Sequence, residues 1–266
     1  MAADPRLTLA RPGEPAPDPS ALTPRRVIAT VATLWADPGR GRAVSQLLRG
    51  ERFLVARIRG GMAWGQAAHD GYVGHVEADA LGAPGPAPTH HVAVPLTHLY
   101  PAADIRTPPR AALPLGAPVT VLAMGERFAE TPEGFLPRGH LADRPAADPV
   151  AVAEMFLHAP YLWGGRSVMG IDCSGLVQQA FRAAGHPMPR DSDMQAATGR
   201  ELAPAEALRR GDLVFWRGHV GIMRDGATLL HANAFHMQVA SEPLAEAAAR
   251  IAASGGGPVI ARRRWA

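Results

Sequence analysis

Apolar residues Leu176, Val177, Ala180, Phe181 and Ala184 recur at the spacing of one helical face. The pattern predicts a helix opening at Cys173, with Asp172 as N-cap and Gly185 as the C-terminal stop. Upstream, Asp148 and Pro149 predict another helix start, running to about His158 and broken before Pro160. Downstream the period shortens. Strands are expected at about 212–217, 219–224, 228–232 and 236–240, a helix near 243–252 and a last strand over 258–262. Helices followed by a mostly antiparallel sheet make an α+β domain over 148–266.

The first half of the chain reads as short strands. Runs at 27–31, 53–58, 62–66 and 71–76 are separated by turn residues, a spacing that suggests a small β-barrel over 26–82. A proline-rich joint at 82–88 marks a boundary, and 89–142 repeat the theme with runs at 91–94, 118–122 and 134–137. Residues 1–25, rich in Pro and Ala, read as an arm or linker, although Leu7, Leu9 and Leu22 need burial.

Composition narrows the classes. Hydrophobic content of 47% with 19% charged residues fits a globular chain. The net charge is +3 and every basic side chain other than histidine is arginine. No basic stripe is interleaved with aromatics, so a nucleic-acid partner is not expected. Arg262, Arg263 and Arg264 read as a solvated tail. No apolar run is long enough to span a bilayer, so no membrane partner is expected. The N-terminus lacks a basic segment followed by an apolar core, which predicts a cytoplasmic setting. His90, His91 and His98 lack metal-ligand spacing, so neither metal nor cofactor is expected.

The candidate chemistry centres on Cys173, the one cysteine of 266 residues. A cysteine in the first turn of a helix faces backbone N–H groups whose partial positive charge favours the thiolate. His219 and His231 lie downstream in two apolar runs separated by a turn, so neighbouring strands could set the imidazoles side by side as base and orienting group. Each residue has a plainer reading. Cys173 is in phase with the apolar face, and from position alone a core role leads. A strand histidine is more often an ordinary polar residue than a catalyst.

The stretches Pro160-Tyr161-Leu162-Trp163-Gly164-Gly165 and Gly170-Ile171-Asp172-Cys173-Ser174-Gly175 change that balance. Together with Gly211-Asp212-Leu213-Val214-Phe215-Trp216 and Gly218-His219-Val220-Gly221-Ile222, they resemble the NlpC/P60 family of cysteine peptidases over about residues 149 to 264. The resemblance implies a papain-like core and hydrolysis of the γ-D-glutamyl–diamino acid bond of murein peptides. It implies Cys173 as nucleophile, His219 as base and His231 as third residue. It also implies Tyr161 near the oxyanion site, and Ser174, Asp191 and Ser192 as substrate contacts; Trp163 itself reads as packing.

Residues 45–51, Trp64, 70–74 and 80–81 resemble a bacterial SH3 domain, and 89–142 resemble a second. Such a domain implies Tyr72 as a contact for the substrate's N-terminal residue. The acid that the family places two positions before the Gln of Ser45-Gln46-Leu47-Leu48 is here Val44, and Asp37 is a possible substitute. The implied substrate is a short recycled fragment with a free N-terminal L-Ala and diaminopimelate or Lys after D-Glu. Alternatives are an exported peptidoglycan hydrolase, an amidase or acyltransferase, or an inert wall-binding module.

Overall fold

The structure, a computed structural model, describes residues 4–10 and 17–265. Residues 1–3 and 11–16 of the expected arm lie outside the described residues. The chain divides into two compact units, Met1–Arg144 and Pro145–Ala266.

In the first unit, β1 (Thr23–Val27), β2 (Val31–Trp35), β3 (Ala43–Leu48), β4 (Arg52–Arg59), β5 (Met62–Ala67), β6 (Val73–Glu77) and β7 (Leu81–Gly82) form one sheet. Its order is β3-β2-β6-β5-β4-β1-β7. The described pairings run in a line with β3 and β7 at the edges, where a closed barrel was expected. Turn spacing encodes hairpins, and the first and last strands β1 and β7 do pair, but it does not encode a pairing of β3 with β7 that would close the sheet. The apolar run 27–31 is not one strand. It breaks after Val27, Ile28 N–H donates to Ala80, and Arg49 N–H bonds Thr30, so the chain turns without glycine or proline. Of the expected arm, Leu9 is buried, Arg6 accepts from Val73 N–H, and Leu7 accepts from the Gln66 amide.

The strands of 90–142 are shorter. β8 (His90–Val92), β9 (Leu96–Leu99), β10 (Ala111–Pro114), β11 (Pro118–Val119), β12 (Ala123–Met124), β13 (Phe128–Thr131), β14 (Gly134–Pro137) and β15 (Leu141–Ala142) build three small sheets. They share a core of Val92, Leu99, Leu113, Ala117, Val119 and Leu136.

The second unit carries α1 (Pro149–Glu154), the two-stranded β16 (Arg166–Ser167) and β17 (Gly170–Ile171), α2 (Cys173–Ala183) and α3 (Ser192–Ala196). A six-stranded sheet follows, made of β18 (Arg200–Glu201), β19 (Leu213–Trp216), β20 (His219–Met223), β21 (Thr228–Asn233), β22 (Gln238–Pro243) and β23 (Ala261–Arg264), with α4 (Leu244–Ala253) after β22. The order β18-β23-β19-β20-β21-β22 is antiparallel throughout. Val214, Trp216, Met223 and Leu229 pack with Ala247, Leu244 and Ile251 around α4. Leu213, Phe215, Val220 and Ile222 on the other face are also buried, and α2 packs on β20 and β21. Burial on both faces explains why β19 is apolar without alternation.

Three expectations shift. α1 ends four residues early. His158 turns to φ +69° and its N–H bonds Val239, which draws the chain onto β22. β22 begins at Gln238 rather than 236, because Met237 at φ +52° still belongs to the turn. The last strand is not 258–262. Val259 and Ile260 are exposed, and the arginine run forms β23 between β18 and β19. Arg264 grips the buried Asp212 at 2.7 and 2.6 Å, and Arg262 bonds the carbonyls of Ala203, Pro204 and Glu206. The expected solvated tail is therefore an internal strand, with Arg263 and Arg264 paired to carboxylates and Arg262 bonded to carbonyls.

A methyl group on Gly65 of β5 would fall 2.2 Å from the Leu54 carbonyl oxygen of β4. Gly65→Ala is expected to lower unfolding free energy by about 1–3 kcal/mol. Chemical denaturation checks this, and an unchanged midpoint would contradict it.

Candidate active site

Cys173 is the first residue of α2, and Asp172 caps it as the sequence predicts. One carboxylate oxygen accepts from Gly175 N–H at 2.7 Å, and the other accepts from Gly164 N–H at 2.8 Å. Arg190, 1% exposed, forks onto both oxygens at 3.0 and 2.6 Å. It also donates to Ser174 Oγ at 2.8 Å, and that hydroxyl donates to Asp172 at 3.2 Å. Gln195 bonds the carbonyls of Ser174 and Pro189 at 2.9 and 2.8 Å. The glycines permit this packing. A Cβ on Gly175 would meet the Gly165 oxygen at 2.2 Å, and one on Gly165 the Gly170 oxygen at 2.4 Å.

The thiol differs from the sequence expectation. Burial, then the neighbouring Asp172 charge, pushes Cys173 up to about 12. The N–H groups of Val220 and Ser174 and the Arg190 charge pull the other way without prevailing. The helix start does not outweigh desolvation here, so the resting group is a neutral thiol. Tyr161, half-buried, rises well above the ordinary phenol range through burial first, then the charges of Cys173 and Asp172. Its backbone N–H bonds Met237, and it bridges Ile171 at the end of β17.

The histidines meet as expected. Arg217 and Gly218 form a two-residue turn, with Gly218 at φ +71°, and His219 opens β20 directly after it. Its Nε2 lies 2.8 Å from Nδ1 of His231 on β21. The Val220 N–H that reaches the sulfur belongs to the next residue. His231 is fully buried, and its Nε2 lies 2.7 Å from Glu242 Oε1 on β22. Arg250 of α4 clamps both Glu242 oxygens at 2.5 Å. Burial first, then the charges of His231 and Arg250, lowers His219 to about 3. Burial also lowers His231, against the pull of Glu242. Burial resists ionisation of Glu242, yet Arg250 and His231 hold it at about 2.

Glu242 and Arg250 were not singled out in the sequence. The signal is an acid eleven residues beyond His231, on the return strand of a hairpin, but it becomes readable only once the register of β22 is known.

Asp191 and Ser192 lie half-buried at the start of α3, where Asp191 makes no side-chain cap bond. Their neighbour Arg190 is the residue that reaches the cysteine helix. Tyr72 belongs to the first unit, where it is buried and its N–H bonds Asp70. Val44 is half-buried on β3. Asp37 accepts from Gly39 N–H at 2.9 Å within its own turn. Among the described residues, no three His, Cys, Asp or Glu side chains are placed to hold a metal ion, and no helix is long and apolar enough to cross a membrane.

Two outcomes follow from this geometry. Arg190→Ala strands a buried carboxylate and is expected to cost about 3–5 kcal/mol in chemical denaturation, an effect that a loss below about 1 kcal/mol would contradict. Alkylation of native Cys173 by iodoacetamide is expected to stay slow through neutral pH and climb toward strongly alkaline pH. A rate plateau already reached near pH 6 would instead reveal a standing thiolate–imidazolium pair.

Comparison with known proteins places this geometry. Residues 158–251 match the NlpC/P60 family model, and residues 34–81 match the bacterial dipeptidyl-peptidase SH3 domain. A γ-D-glutamyl-L-lysine dipeptidyl-peptidase of Bacillus subtilis is 39% identical over 95 residues, 33% of this chain and 32% of that protein. A probable endopeptidase of Mycobacterium tuberculosis is 33% identical over 132 residues, 48% of this chain and 31% of that protein. The matched stretches thus span about a third of these relatives' length. The crystal structure of an NlpC/P60 family protein from Bacillus cereus superposes with a TM-score of 0.77 at 20% identity, covering 91% of this chain and 99% of that one, a likeness of fold. The chain therefore carries an NlpC/P60 domain and, ahead of it, a bacterial dipeptidyl-peptidase SH3 domain.

Proposed function

We propose that this chain is a cysteine peptidase that hydrolyses the amide bond between γ-D-Glu and the following diamino acid, diaminopimelate or Lys, in short murein peptides with a free N-terminal L-Ala. The observation that carries the reading is the His219–His231 hydrogen bond at 2.8 Å, made by the residue adjoining the Val220 N–H that touches the Cys173 sulfur. The γ-D-glutamyl-L-lysine dipeptidyl-peptidase activity for which the Bacillus subtilis relative is named supports the bond, and the dipeptidyl-peptidase SH3 domain supports a substrate with a free N-terminus. In this reading 148–266 are the peptidase domain, 26–82 the SH3-like domain and 89–142 a second one. The separate core of the latter residues supports that division.

With thiol and imidazole both neutral at rest, attack and proton transfer go together. The sulfur adds to the amide carbonyl carbon while its proton passes to His219. The oxyanion is met by the Cys173 N–H and the Tyr161 hydroxyl, which stays protonated at working pH because its pKa is raised. The imidazolium of His219 then gives its proton to the leaving amine as the C–N bond breaks, leaving a γ-glutamyl thioester on Cys173. Water, losing a proton to His219, attacks the thioester, and the thiolate leaves and is reprotonated. Ser174, Asp191, Ser192 and Tyr72 are proposed substrate contacts. For the first, release of Ser174 Oγ from Arg190 and Asp172 is required. Val44 offers no carboxylate to the substrate amine.

Mass spectrometry of L-Ala-γ-D-Glu-meso-diaminopimelate incubated with the protein tests the reading. The expected products are L-Ala-D-Glu and diaminopimelate, formed faster than from the N-acetylated peptide. Cys173→Ala is expected to abolish turnover with its thermal midpoint kept. An intact peptide after prolonged incubation with folded protein, or full activity of the variant, would refute it.

A further inference from the structure

We propose that Glu242, held by Arg250, is a positioning residue that fixes the tautomers of His231 and His219 and so leaves Nδ1 of His219 as the basic nitrogen. The inference rests on the functional reading only in calling that nitrogen the catalytic base. The directions of the hydrogen bonds carry the rest. An ionised carboxylate can only accept. Glu242 Oε1, 2.7 Å from Nε2 of His231, therefore requires a proton on that nitrogen. A neutral His231 then has a bare Nδ1. That atom lies 2.8 Å from Nε2 of His219, so His219 must donate there. The single ring proton of His219 is thereby placed on Nε2, and its Nδ1 keeps a lone pair able to take a proton from a thiol.

The opposite chain of bonds is blocked at its far end. With the proton on Nδ1 of His231, the bare Nε2 would face the carboxylate oxygen, lone pair against lone pair, with no water-facing escape for a fully buried ring. His219 would then carry its proton on Nδ1 and could not act as a base there. Without the carboxylate the two tautomers of an imidazole differ little, and the His219–His231 bond alone is compatible with either. Arg250 keeps the choice in force. Its two bonds hold Glu242 ionised and in place, and the Phe235 ring lies over its guanidinium, 4.4 Å from ring centroid to carbon. The other group facing the carboxylate is His236, with Nδ1 at 3.8 Å from Oε1. Once His219 is protonated during turnover, the Glu242 charge acts on it through His231, and no second proton has to move.

Long-range ring ¹H–¹⁵N correlation of histidine-labelled protein tests this without substrate, with His219→Gln and His231→Gln used for assignment. At neutral pH, both rings are expected to carry one proton, on Nε2. In Glu242→Gln, whose amide both donates and accepts, the two tautomers are expected to mix, and kcat to fall by about 10²–10⁴ with little change in KM. Glu242→Asp is expected to restore the Nε2–H form in part. A proton on Nδ1 of His231 in the unaltered protein, or unchanged tautomers in a folded Glu242→Gln, overturns the proposal. Should Glu242→Gln not fold, the unaltered protein's spectrum still decides. Tautomers that behave as expected in a protein that cleaves no murein peptide would sink the functional reading and leave this one standing.

Discussion

The buried ion pair between Asp172 and Arg190 is what the second unit's chemistry depends on. Burying an ionised carboxylate costs several kcal/mol unless its lone pairs are met. Here they are met by two backbone N–H groups, one hydroxyl and both arms of a guanidinium. The donors come from three places: the loop before β16, the first turn of α2 and the segment before α3. The pair thus ties three segments to one point, next to the only thiol. It also leaves a negative charge there, and that charge, after burial, helps hold both Cys173 and Tyr161 in their protonated forms.

A second anchored carboxylate stands behind the histidines. Glu242 and Arg250 repeat the fork-on-carboxylate arrangement, but at the far end of a line that runs through His231 to His219. The two anchors act differently. Asp172 positions backbone and, after burial, adds to what holds the thiol protonated. Glu242 orders protons within the imidazole pair. A neutral thiol beside a neutral, correctly protonated imidazole needs no standing ion pair in a dry site, where separated charges are costly. In the proposed reaction, this arrangement places the proton transfer in the step that forms the carbon–sulfur bond.

Much of this site was legible because local pattern and fold agree in α2. The Asp172 cap, the Cys173 start and the Gly185 stop, at φ +83°, are all encoded within one stretch from 172 to 185. The His219–His231 pairing was legible because a hairpin separates them. Arg190 was visible as part of a motif, yet its role was not, because burial of a long charged side chain depends on a partner eighteen residues away. Thiol protonation is hidden for a related reason: the helix-end field is local and readable, whereas burial of the thiol is not. The arginine strand β23 was hidden because three consecutive charges look solvated until Asp212 and Glu206 are brought to them. The linear order of the first sheet was hidden because turn spacing does not specify which strands meet at the edges.

The central claim is that the Cys173 sulfur carries the acyl group during turnover. Rapid acid quench of the protein with excess L-Ala-γ-D-Glu-meso-diaminopimelate, followed by fragment mass analysis, addresses it directly. The account predicts a transient fragment containing Cys173 heavier by one L-Ala-γ-D-glutamyl group, lost on treatment with hydroxylamine. Peptide cleavage progressing in the same quenched samples, with Cys173 unmodified from the earliest time point onward, would contradict it.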